Sequence, residues 1–288
     1  MIRRVPVAAT IRDAYTFLVG HLGAVIGLVW MPMVLLTIAK YFTLYRLFNS
    51  LIDSLAGGNP AQTLPAMLMF MAYLVAALLL YAMMFVGVMQ LALGTQAAAP
   101  SIAHFAFGPL EWRMFRAFFA LAGLALMIGM TAMFAVSALS AQVAGANQML
   151  AGNIMLLAMI CVSVTILVRL LLPLPAIVIH EPGPALRRAW TLSAGNFLPL
   201  FGILLAIVLP VLLVQVSVEA SLGGKNPPAA GATQQMQMMS ALLNARQILP
   251  WACGLSFLVS PILIGLFASA SASIWRALKS EPALDIAV

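Results

Sequence analysis

Charge is what this sequence has least of. Its 288 residues include 14 basic and 7 acidic side chains, 7% in all, where a soluble domain carries about 25%. So few charges cannot cover a water-soluble fold of this length, and no stretch is polar enough to form a separate soluble domain. The acids are Asp13, Asp53, Glu111, Glu181, Glu219, Glu281 and Asp285. None forms a tight pair and none lies deep within an apolar run, which argues against paired-carboxylate chemistry and against a proton pump built on buried acids. His21, His104 and His180 are far apart in sequence and lack metal-ligand spacing, and phosphate-loop and nucleophile-elbow motifs are absent. The expectation is a non-enzyme with no catalytic residue, no metal and no cofactor. Two cysteines, Cys161 and Cys253, sit in apolar runs and are expected to pack as buried small apolar groups.

What the chain does have is long uncharged runs, with 64% hydrophobic residues and a mean hydropathy of +1.09. A helix needs about 20 apolar residues to cross the hydrocarbon. On that measure residues 1–288 read as one all-α integral membrane domain, with spans near 20–41, 64–93, 117–141, 154–178, 197–218 and 249–278. The run between Arg116 and Arg169 is too long for one helix. Gly145, Asn147, Gln148, Gly152 and Asn153 mark a reversal near its middle. Gly223, Gly224, Pro227 and Pro228 break the chain before the sixth span. Barrel strands would alternate apolar and polar residues, and these runs are apolar all round. The first run lacks a cleavage pattern and reads as a retained span.

Six spans put Arg3, Arg4, Arg12, Arg113, Arg116, Arg187, Arg188, Arg276 and Lys279 on one side and Lys40, Arg46, Lys225 and Arg246 on the other. The positive-inside rule then places both termini in the cytoplasm. The net charge of +7 is spread thinly between apolar spans, so its partner is expected to be membrane lipid and not nucleic acid.

Arg12, Ala14, Thr16, Gly20 and Gly27 match Arg187, Ala189, Thr191, Gly195 and Gly202 at a constant offset, with Tyr15 facing Trp190 and His21 facing Asn196. Ala117, Phe118 and Gly123 align as a weaker third copy. A threefold repeat of two-span units is expected, each opening on a cytoplasmic interfacial elbow in which arginine meets headgroups and a glycine lets the chain bend into the span. Asn196 is suited to cap the helix that follows.

The stretch from Arg169 through Pro173 and Pro175, followed by Ala185–Phe197, resembles bacterial six-helix inner-membrane proteins similar to the membrane domain attached to some glycerophosphoryl diester phosphodiesterases. The resemblance implies a six-helix fold in the bacterial cytoplasmic membrane. The soluble phosphodiesterase domain is missing from this sequence, so that activity is not implied and no catalytic residue carries over.

Arg169 is the most informative single position, inside the fourth run near its cytoplasmic boundary. A snorkelling anchor accounts for it. So does an ion pair with Glu181 or Glu111. The sharper reading groups Arg169 with Arg187, Arg188 and Trp190, and with His180, as a lipid or anion site opened by Pro173 and Pro175. Gln235–Met239 lies in the long outer loop, where Met236, Met239 and Leu243 fit one face of a short interfacial helix. Gly23 with Gly27, and Gly265 with Ser269 and Ser273, are small-residue pairs suited to close helix contact. The function expected is handling of lipid or an amphiphile at the cytoplasmic leaflet. The alternatives are an accessory subunit of a membrane complex, with a membrane-protein partner or a second copy, and a small-molecule transporter. The last needs a polar cavity, for which Gln90, Ser163 and Thr165 are the sequence's candidates.

Overall fold

The computed structural model describes residues 5–59, 61, 63–95, 108–142, 147–180, 183–222 and 233–279. Arg3, Arg4, His104, Glu181, Lys225, Glu281 and Asp285 therefore lie outside the described residues, as do Gly145 and the Gly223–Pro228 breaker cluster. The described chain is an all-α bundle without strands: α1 (Val7–Leu55), α2 (Thr63–Leu93), α3 (Pro109–Gln142), α4 (Asn147–Leu171), α5 (Leu174–His180), α6 (Ala185–Leu192), α7 (Phe197–Leu222) and α8 (Gln234–Lys279). Six of its helical stretches are long and apolar enough to cross a membrane. Apolar side chains also cover its outside: Leu126, Met133, Phe134, Leu198, Leu213 and Leu258 are all more than half exposed. Such a surface needs hydrocarbon as its solvent.

The first helix packs most extensively on the last, with α2 next. Gly265 is the close point of the α1–α8 contact, since a Cβ there would stand 2.8 Å from Leu18 and 3.5 Å from Val25. The other small-residue pair is not used within the bundle: a Cβ on Gly23 or Gly27 would meet nothing within 4 Å. One core cluster joins α1, α2, α3, α5 and α8 with the end of α4 and with Ala189 of α6, and a second joins the start of α1 to α4, α7 and α8.

The two long helices exceed the expected spans. α1 runs to Leu55 instead of ending near Tyr41, and α8 begins at Gln234 instead of near Leu249. The extensions support one another as an antiparallel pair: Arg246 Nη1 donates to Asn49 Oδ1 at 2.8 Å, and Gln235 Nε2 donates to the Leu55 carbonyl. Gln235–Met239 thus belongs to a helix and not a loop, with Met236 and Met238 exposed.

The elbows are unequal. α6 is a separate amphipathic helix with Ala189 buried and Arg187 and Arg188 exposed. It ends in a turn where Gly195 takes φ +76, a conformation open to glycine because it has no Cβ. The first copy instead runs on into α1, bending at His21 (φ −123, ψ 16) and not at Gly20. The matched alanines Ala14 and Ala189 are both fully buried. The third copy has no elbow, because α3 continues without interruption through Gly123. Pro109 occupies the first turn of α3, and Glu111 Oε2 accepts the Gly108 N–H at 2.8 Å, closing one side of a capping box.

Cys253 is buried as expected, but Cys161 is exposed. An apolar run predicts a membrane environment, not burial inside the bundle, and Cys161 lies on the outward surface of α4.

Candidate functional site

Arg169 stands in the last turn of α4. Pro173 and Pro175 cannot return N–H bonds to the carbonyls four residues earlier, and the helix breaks between Leu171 and Leu174. The chain then re-enters the bundle as α5, whose residues Leu174–Val178 are buried. The Ala176 N–H finds its acceptor on another helix, Ser271 Oγ of α8, at 3.3 Å.

The guanidinium of Arg169 reaches across to the elbow. Its Nε–H donates to Ser193 Oγ at 3.2 Å and its Nη2 donates to the Trp190 carbonyl at 2.7 Å. Its Cζ lies 3.6 Å from the centroid of the Trp190 ring, a cation–π geometry. Ser193, fully buried, donates its hydroxyl to the same Trp190 carbonyl at 3.1 Å. A positive charge thus meets a carbonyl in the last turn of α6, the end that carries the helix's partial negative charge. Arg169 and Trp190 form an internal clamp between α4 and the elbow. Arg187 and Arg188, on the same short helix, are exposed. His180 is elsewhere, stacked on Trp275 with centroids 5.4 Å apart and planes 5° apart. Glu111 is engaged by Gly108.

The repeat partner of Trp190 also fastens helices. The Tyr15 hydroxyl donates to the Ala206 carbonyl at 3.0 Å, and Asn196 Oδ1 accepts the Val5 N–H at 3.1 Å.

A concavity beside the elbow draws on arginines that the sequence shows only as cytoplasmic charges. Arg113 and Arg116 of α3 line a recess of about 590 Å³ with Ala117, Ala120, Val178 and the start of α6. One turn away on the same helices lies an apolar crevice of about 300 Å³, lined by residues including Phe85, Phe118, Leu121, Leu167, Pro175 and Phe267. A signal for it exists in the sequence. Arg113, Arg116, Ala117 and Ala120 follow the i, i+3, i+4, i+7 spacing of one helix face, and Phe118, Leu121, Ala122 and Ala125 follow it on the adjoining face. Small side chains beside arginines leave room for a headgroup, and small side chains beside phenylalanine leave room for a chain.

Of the hydroxyls named for a transport path, Ser163 donates to the Met159 carbonyl at 2.7 Å and Thr165 to the Cys161 carbonyl at 2.8 Å, both within α4. Among the described residues no group of three His, Cys, Asp or Glu side chains converges as a metal site would require.

Fold and surface together define a multi-pass α-helical membrane protein. Set against known protein families, characterised proteins and solved structures, the chain matches none.

Proposed function

We propose that this is a non-enzymatic protein of the bacterial cytoplasmic membrane, with both termini in the cytoplasm, that holds an anionic amphiphile at the cytoplasmic leaflet. The observation that carries the reading is the pairing of the Arg113/Arg116 recess with the apolar crevice on the adjoining face of α3, both of them bordered by α5. Phospholipid chemistry has this two-part form, a charged head a short distance from an acyl chain. Arg187 and Arg188, exposed on the adjoining α6, enlarge the positive field around the recess. Arg169 and Trp190 set the position of α6 and so shape the mouth of the recess.

Native mass spectrometry of protein extracted from membranes of mixed lipid composition tests this. Wild type should retain anionic phospholipid in preference to zwitterionic. Each arginine near an anionic surface contributes about 1 kcal/mol, so Arg113→Gln with Arg116→Gln should reduce the preference about tenfold or more. Arg187→Gln with Arg188→Gln should reduce it less. Unchanged retention in the folded Arg113/Arg116 double variant would reject the site.

A further inference from the structure

A second concavity, distinct from the recess beside the elbow, lies between α1, α2, α7 and α8. It holds about 140 Å³ and is lined by Lys40 and Thr37 of α1, Tyr73 and Tyr81 of α2, and Ser256 and Ser260 of α8, with apolar side chains between them and Gln215 of α7 at its exposed rim. Lys40 follows the His21 bend by 19 residues, about 28 Å at 1.5 Å per residue. Tyr81 precedes the end of α2 by 12 residues, about 18 Å on the same measure. The cavity therefore runs from near the middle of the apolar band to its far boundary, opposite the elbow.

A lysine at such a boundary ordinarily turns its ammonium outward to water. Lys40 instead turns across to α8, where its Nζ donates to Ser256 Oγ at 3.0 Å. That bond uses one of three N–H donors. Ser260 donates to the Ser256 carbonyl at 2.6 Å, and the Tyr81 hydroxyl belongs to the same lining. The lining therefore offers several donors and one positive charge, and no carboxylate stands among the lining residues. Of the acids, Asp13 pairs with Arg12 at 3.9 Å, Glu111 holds Gly108, Asp53 lies 13 residues beyond Lys40 near the end of α1, and Glu219, whose side chain is outside the described ones, follows Gln215 by one turn on α7. Pro210 and Pro261 adjoin the cavity on α7 and α8. Each removes a backbone N–H there.

We propose that this cavity binds a small monovalent carboxylate, with Lys40 as counter-ion and Ser256 and Tyr73 as hydrogen-bond donors. The single ammonium sets the charge at one. A volume of this order accommodates about one benzene-sized molecule, and the two tyrosine rings favour an apolar or aromatic body behind the carboxylate.

Isothermal titration of the purified full chain in lipid nanodiscs with sodium benzoate tests the site, with benzyl alcohol as the neutral counterpart. Wild type should bind benzoate saturably at one per chain and benzyl alcohol at least tenfold more weakly. Lys40→Met should weaken benzoate binding at least tenfold. Should that variant not fold, Ser256→Ala with Tyr73→Phe should weaken it severalfold. Arg113→Gln with Arg116→Gln should leave benzoate affinity unchanged, which separates this site from the lipid recess. Absence of saturable benzoate binding by wild type, equal affinity for benzyl alcohol, or wild-type affinity in folded Lys40→Met or Ser256→Ala/Tyr73→Phe protein would overturn the proposal.

Discussion

Pro210 has no N–H for the Ala206 carbonyl one turn earlier, and in hydrocarbon no water is present to take its place. The Tyr15 hydroxyl donates to that carbonyl from another helix. Tyr15→Phe keeps the ring and strips the donor, and should cost about 1–3 kcal/mol, the range for a buried polar group left unpaired. An unfolding titration in mixed micelles measures it. The Arg169 clamp is a second such fastening, with two hydrogen bonds and a ring contact. Arg169→Met should cost about 2–4 kcal/mol in the same titration. It should also alter lipid retention less than the Arg113/Arg116 substitutions do, because its guanidinium is committed to α6. Of the five residues the sequence groups as an anion site, Arg169 and Trp190 meet each other, Arg187 and Arg188 are exposed, and His180 stacks on Trp275. Single positions with unusual chemistry could be read from the sequence. What each one touches depends on how α4 breaks and where α6 docks.

The helices themselves were largely legible, because an uncharged run in lipid must close its own backbone bonds. Their ends were not. Residues 41–55 and 234–249 are too mixed in polarity to read as membrane spans, yet they remain helical because each provides the other's partners, as between Asn49 and Arg246. The bend of the first elbow is another case: Gly20 could bend the chain, but the angle is taken up at His21. Close contact separates the two small-residue pairs by substitution. Gly265→Val drives a side chain into Leu18 and Val25 and should cost about 1–3 kcal/mol, whereas Gly23→Val meets open space and should change stability by less than about 1 kcal/mol. Ser271→Ala leaves the Ala176 N–H of buried α5 without its acceptor, at about 1–3 kcal/mol.

At the scale of the whole molecule, the bundle has an elbow end and an opposite end from which α1 and α8 project as a pair. Cytoplasmic elbows require that pair to lie outside. In a background of Cys161→Ser and Cys253→Ala, Ala241→Cys should react with a membrane-impermeant maleimide on intact cells, and Arg187→Cys only after permeabilisation. The reverse pattern would turn the protein over and move the amphiphile site to the other leaflet. The most extensive packing in the bundle joins its first helix to its last. At about 5–20 residues per second, a ribosome needs on the order of 10–40 s to make the roughly 200 residues between them. For that interval α1 resides in the bilayer without its main neighbour, and Lys40 without Ser256. Until translation is nearly over, the Lys40 ammonium must therefore find water at the membrane boundary, and it turns inward to α8 only when the last helix arrives.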